Sequence, residues 1–205
     1  VELTMNNAAA LYFKEEFGQT TESAAAIASL FGWMNLFARG LGGFISDQCN
    51  VRWGMRGRIA IQTIFLFLEG VLVLIFANTR TLGGSMIALV FFSIFVQATE
   101  GTSYAIVPYV DPVYVGSVSG IVGAGGNTGA VTFGLLFSHL EYRHAFNAMG
   151  WTILASSVLS VFLFIPEHPS LFFSADVDDL ADDITLDPSD RAEESKEEMS
   201  VARFD

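Results

Sequence analysis

Four side chains stand out because long apolar stretches surround them: Arg39, Glu69, Glu100 and Asn127. Each has a type that does chemistry only when water is kept away. An arginine at membrane depth costs at least ~2.5 kcal/mol and by default marks a place where an anion or carboxylate is held. At helical spacing, Arg39 shares a face with Gly32, Asn35, Gly42 and Ser46, so it has small and polar company. Two readings are open. Either the guanidinium serves a ligand or an ion pair, or it snorkels to the interface, because Asp47 lies only two turns away. The polar stripe favours the first.

Glu69 falls near the middle of an apolar run, with Gln62 one heptad earlier on the same face. A carboxyl there is protonated or paired, and the simplest expectation is a neutral acid hydrogen-bonded to a neighbouring helix. Glu100 belongs to a seam of Ser93, Gln97, Glu100 and Tyr104 at spacings of four, three and four. Such a seam faces a bundle interior or an aqueous path. Glu100 is therefore the better candidate for a proton-linked group, with a purely structural hydrogen-bond seam as the alternative. Asn127 is the one hydrogen-bonding side chain on a stripe of Gly116, Gly120, Gly123, Ala130 and Gly134. It serves a ligand, or it ties its helix to another. A nucleophile–base pair, a phosphate loop and a metal-ligand spacing are all missing from the sequence, so an enzyme is not expected, nor is a cofactor.

The elements that must carry these residues are transmembrane helices. Of 205 residues, 52% are hydrophobic and only 16% charged, where a soluble domain carries about a quarter charged residues. The predicted segments are the end of one span at 1–17, then spans at about 23–45, 59–77, 85–107, 115–140 and 146–165. Residues 47–58 (DQCNVRWGMRGR) read as a short loop with the densest basic cluster in the body, Arg52, Arg56 and Arg58. The positive-inside rule places that loop in the cytoplasm. The last span has no charge and reads as peripheral packing. The fifth holds GSVSGIVGAGGNTGAVTFG, with seven glycines and no charge. On a soluble helix each glycine costs about 1 kcal/mol relative to alanine. In a bilayer the backbone keeps its own hydrogen bonds, and small residues give a smooth face for a close neighbour.

The net charge of −12 is unevenly spread. Residues 166–205 hold 13 acidic and three basic side chains, whereas residues 1–165 are nearly neutral. The expectation is a membrane body at 1–165 and an acidic, disordered cytoplasmic tail at 166–205, with Ser189, Ser195 and Ser200 as weak candidates for phosphorylation. Nucleic acid is excluded as a partner because no basic surface meets phosphates. The single cysteine, Cys49, rules out an internal disulfide. The chain opens on Val1 within a helical pattern and so reads as a piece of a longer protein.

Several stretches share one resemblance. GGFISDQCNVRWGMRGR resembles the cytoplasmic loop of the major facilitator superfamily, in the copy between helices eight and nine. GIVGAGGNTGAVTFGLLF resembles the nitrate signature on helix eleven of the nitrate/nitrite porter family, and FGWMNLFARGLGGFISD resembles its helix eight. EGTSYAIVPYV is similar to the end of helix ten in eukaryotic, especially algal, high-affinity nitrate transporters.

The resemblance implies an all-α membrane protein: the C-terminal six-helix half of a facilitator bundle, with helix seven truncated. It implies that Arg39 binds nitrate, as one of two arginines, the other lying in the absent first half. Guanidinium and nitrate are both planar, so parallel hydrogen bonds suit them and lysine is a poor substitute. Asn127 with Gly123, Gly125, Gly126 and Gly129 would form the sliding surface beside the substrate. Asp47, Arg56 and Arg58 would belong to the inner gate of an alternating-access cycle. A proton role for Glu100 or Glu69 is an extension beyond the family motif. The expected partners are nitrate or nitrite, protons, the bilayer, the N-terminal half of the same transporter and an accessory subunit. The plasma membrane is the expected location. Two alternatives stand beside nitrate uptake: a carrier of nitrite or another small anion, and a nitrate-sensing module acting through the acidic tail.

Overall fold

The structure is a computed structural model that describes residues 1–165 and 168–172. Most of the predicted tail, with Ser189, Ser195 and Ser200, lies outside the described residues. The described body is helical: α1 (Glu2–Phe17), α2 (Thr21–Trp53), α3 (Met55–Asn78), α4 (Leu82–Ile106), α5 (Val115–His139) and α6 (Tyr142–Ser160). A single 3-10 turn at Val107–Tyr109 follows α4, where Pro108 removes a backbone donor.

Local sequence explains most of the boundaries. Gly18 closes α1 in the left-handed region at φ 60°. Thr20 caps α2 by accepting from the Ser23 amide at 3.2 Å, and Thr81 caps α4 by accepting from the Gly84 amide at 3.3 Å. Asp111 Oδ1 accepts from the amides of Val113 and Tyr114 at 3.0 and 3.1 Å and turns the chain into α5.

The expected loop at 47–58 is instead almost wholly helical. No proline or glycine interrupts residues 46–53, so α2 continues to Trp53, and only Gly54, at φ 63°, separates it from α3. At 33 residues α2 is about 50 Å long, well beyond a hydrocarbon core of about 30 Å. Its last turns therefore project past the membrane and carry Arg52, while Arg56 and Arg58 lie in the first turn of α3. Four segments are long and apolar enough to cross a membrane: Thr21–Trp53, Met55–Asn78, Leu82–Tyr109 and Val115–His139. α6 stops at Ser160, short of the predicted 165, and it is more than peripheral. Ala145, Phe146, Met149 and Ile153 are buried.

Two kinds of contact hold the helices together. At one end, aromatic rings interlock: Phe76 meets Phe146 at 5.0 Å edge-on, and Tyr12 meets Phe146 at 5.2 Å. Deeper in, glycines let backbones approach. A Cβ on Gly42 would strike the Ala98 carbonyl, and one on Gly101 would strike the Arg39 carbonyl. Gly70 and Gly150 play the same part between α3 and α6, against Leu154 and Leu74. By contrast, α5 has no buried residue. A Cβ on Gly116, Gly120, Gly125, Gly126, Gly129 or Gly134 would meet no atom within 4 Å, and on Gly123 only the Tyr104 hydroxyl at 3.9 Å.

Candidate functional site

The close crossing of α2 and α4 brings Arg39 to Glu100. Because Gly101 has no side chain, the Arg39 backbone lies against α4 and the guanidinium falls beside the Gln97–Glu100 turn. Arg39 Nη2 donates to Glu100 Oε2 at 2.5 Å, to Glu2 Oε2 at 2.8 Å and to Gln97 Oε1 at 3.2 Å. The other Glu2 oxygen accepts from Asn35 Nδ2 at 3.1 Å and from Gln97 Nε2 at 3.2 Å. Arg39 is thus an ion-pair residue inside a polar network on three helices, and it does not reach toward Asp47. Its Nε is buried and has no hydrogen-bond partner among the described residues. All the recorded bonds load one terminal nitrogen, so a second edge of the fork stays unused.

Glu2 was not anticipated. In sequence it is only an acid at the start of an apolar helix, and no local pattern pairs α1 with α2. The members of the α4 seam do not all join the network. Gln97 is fully buried and joins Arg39 to Glu2, while the Ser93 hydroxyl returns to the Val90 carbonyl at 2.8 Å. Tyr104, at 40% exposure, stands outside the network.

Glu69 is buried on α3, with Thr99 as its polar neighbour. Its heptad mate Gln62 is bound instead to α4: it donates to Ser103 Oγ at 2.8 Å and accepts from Thr102 Oγ1. A cavity of about 500 Å³ opens between these elements, lined among others by Glu2, Glu69, Glu100, Tyr104, Gly123 and Gly126. Three carboxyl groups thus share one space with the glycine helix. A larger recess of about 800 Å³ lies among the connections at residues 15–17, 77–80 and 140–143, away from Arg39.

Of the α5 residues singled out, Gly123 and Gly126 line the carboxyl cavity. Asn127 is exposed, does not line that cavity, and makes no side-chain hydrogen bond with a described residue. Gly125 and Gly129 face no described atom within 4 Å.

At the basic end, Arg58 is the buried centre, with 6% of its side chain exposed. It donates to Asp47 Oδ1 at 2.7 Å, to Ser46 Oγ at 3.2 Å and to the Tyr109 hydroxyl at 3.3 Å, and it lies 4.9 Å from the Tyr109 ring centre. Arg56 does not join this cluster. Its Nε donates to the Ser170 carbonyl at 3.2 Å.

Comparison with known proteins adds to this geometry. The family model for the Major Facilitator Superfamily matches residues 2–191. The chain is 41% identical over 167 residues to high affinity nitrate transporter 2.7 of Arabidopsis thaliana, covering 79% of this chain and 34% of that protein. It is 37% identical over 175 residues to high affinity nitrate transporter 2.5 of the same plant, covering 84% and 35%. It is 36% identical over 181 residues to nitrate transporter 2.2 of Chlamydomonas reinhardtii, again covering 84% and 35%. The chain spans about a third of the length of these curated relatives. No solved structure matches it.

Proposed function

The chain belongs to the major facilitator superfamily and is an integral, multi-pass membrane protein, and from that premise we propose that it forms the C-terminal half of a nitrate transporter. The transport is uptake by alternating access, coupled to protons, across the plasma membrane. Residues 50–58 and the acidic tail face the cytoplasm in this reading, in keeping with the basic cluster of Arg52, Arg56 and Arg58.

The observation that carries the proposal is the state of Arg39. It is a guanidinium on a membrane-spanning helix, held by side chains from two other helices, with Nε buried and unpartnered. A planar anion that takes two adjacent N–H groups suits such an unfilled fork. The relatives are each named as a nitrate transporter, and nitrate is a planar anion. Gly123 and Gly126 border the carboxyl cavity beside Arg39's partners and leave room for a small solute. Asn127, Gly125 and Gly129 lie on the same helix and are open to contact with the first half of the transporter. Asp47 and Arg58 act as a latch at the cytoplasmic end, and Arg56, bonded to the Ser170 carbonyl, stands apart from it.

Arg39→Lys in the full-length protein tests this reading. Lysine keeps the charge but offers no fork. Nitrate uptake should be abolished while the protein still reaches the membrane in normal amount. Uptake at the unmodified rate overturns the proposal.

A further inference from the structure

The Arg39 network has an imbalance that anion binding alone does not explain. One guanidinium faces two carboxylates, and both bond the same nitrogen, Nη2, at 2.8 and 2.5 Å. Gln97 Oε1 is a third acceptor on that nitrogen, which has only two hydrogens to give. Meanwhile Nε, the donor that a side-on planar anion needs together with Nη2, is unpartnered. The carboxylates therefore stand where an incoming anion must bond.

We propose that Glu2 and Glu100 are tethered competitors for Arg39: deprotonated they hold its guanidinium and exclude the transported anion, and protonated they release it. The inference rests on the reading of Arg39 as a nitrate site and says how protons are coupled to it.

The charges support an exchange. With both carboxylates ionised, the cluster of Arg39, Glu2 and Glu100 carries one net negative charge, which repels nitrate. When a proton adds to Glu100 Oε2, that oxygen's charged bond to Nη2 is lost, and a nitrate oxygen then has only the neutral Gln97 Oε1 to displace from Nη2, while Nε takes a second nitrate oxygen. One proton and one nitrate then enter together, and the net charge of the cluster is unchanged. This matters at membrane depth, where an added charge is costly. Departure reverses the step: the proton leaves, the carboxylate regains Nη2, and nitrate is displaced.

Every element around Glu100 fits a proton-accepting role. α2 presents Arg39 and α1 presents Glu2. α3 presents Glu69, which lines the same cavity. On α4 itself the polar neighbours are Gln97, Thr99, Ser103 and Tyr104, while the α5 residues Val122, Gly123 and Gly126 do not ionise. Among the described side chains that face Glu100, Arg39 is the cation, and two acids dispute it. The cavity, about 500 Å³ and lined by Glu2, Glu69 and Glu100, gives the proton a path.

The test is the pH dependence of nitrate binding to the purified full-length protein, by calorimetry at about pH 5.5 and about pH 8, one on each side of the neutral range. Unmodified protein should bind nitrate more tightly at the acid pH. Glu100→Gln should bind at the alkaline pH about as tightly as unmodified protein does in acid, a gain of roughly tenfold, about 1.4 kcal/mol, with the pH dependence flattened. Glu2→Gln, on a different helix, should move the same way and carries the test if Glu100→Gln does not fold. Glu100→Asp, which keeps a titrating group, should keep the pH dependence. If nitrate binds the unmodified protein with a clear pH dependence and both glutamine variants show the same dependence, the competition is wrong and the nitrate site stands. If the unmodified protein shows no saturable nitrate binding at either pH, the nitrate reading fails and this inference fails with it.

Discussion

The backbone carbonyl of Arg39 occupies the space that a Cβ on Gly101 would need. One absent methyl group therefore sets the distance between α2 and α4, and through it the reach of Arg39 to Glu100. The neighbouring crossing has the same form, with Gly42 against the Ala98 carbonyl. In both cases the obstacle is backbone, which cannot swing aside as a side-chain tip does.

Gly101→Ala is accordingly expected to be costly twice over. Overpacking against backbone destabilises by about 1–3 kcal/mol, and forced separation of the helices lengthens the Arg39–Glu100 contact. The thermal midpoint of the solubilised full-length protein should fall, and nitrate affinity should change with it. Gly42→Ala should lower the midpoint by a similar amount. A midpoint unchanged in both variants would show that the crossing is looser than described here.

The α5 glycines should behave in the opposite way. Around Gly125 and Gly126 there is no described atom within 4 Å of a built Cβ, so their value does not lie in packing this half. Gly126→Leu in the full-length protein is expected to leave this bundle intact but to obstruct whatever slides past α5. Uptake should fall by at least about tenfold, equivalent to 1.4 kcal/mol in a barrier, while the amount in the membrane stays normal. Unchanged uptake would mean that the face is idle in transport.

At the basic end Arg56 and Arg58 should separate clearly. Arg58 is buried, bonds three side chains and stacks on Tyr109. Arg58→Ala leaves the Asp47 carboxylate without its partner, but that side chain is 62% exposed and water takes over much of the loss. The expected cost is therefore about 1–3 kcal/mol, set mainly by lost packing and hydrogen bonds. Among the described residues Arg56 has one side-chain bond, to the Ser170 carbonyl, so Arg56→Ala should stay within about 0.5 kcal/mol. Chemical or thermal unfolding of the two variants side by side checks the order, and equal losses would refute it.

Much of this was legible in the sequence, and the failures have physical causes. Apolar runs place the helices near their observed positions. Arg39 and Glu100 stood out because a charge within an apolar run has few ordinary explanations. Glu2 did not, because pairing α1 with α2 is a tertiary fact with no periodic trace. Residues 47–58 read as loop from their polarity, yet a helix longer than the bilayer keeps its hydrogen bonds after leaving it. The glycines that pack closely within this bundle, Gly42, Gly70, Gly101 and Gly150, are scattered singly through helices other than α5. A single glycine gives no pattern. Its role emerges only when the crossing helix is known.

The interhelical tie at Gln62 allows a prediction of size as well as sign. Gln62 is 8% exposed and makes two hydrogen bonds to α4, one donated to Ser103 and one accepted from Thr102. Removing a buried partner costs most when it strands a donor. Here neither hydroxyl is stranded, because Thr102 has the Thr99 carbonyl as an alternative acceptor and Ser103 already donates to it, both at 2.9 Å. Gln62→Leu also replaces the amide with an apolar group of similar bulk. Side-chain hydrogen bonds between membrane helices average about 0.6 kcal/mol and reach about 1.7. The expected loss is therefore of that order, read as a small drop in the unfolding midpoint of the solubilised protein. A loss above about 3 kcal/mol would exceed what two such bonds supply. It would mean that Gln62 fixes the position of α3, and with it Glu69, against the Arg39 network.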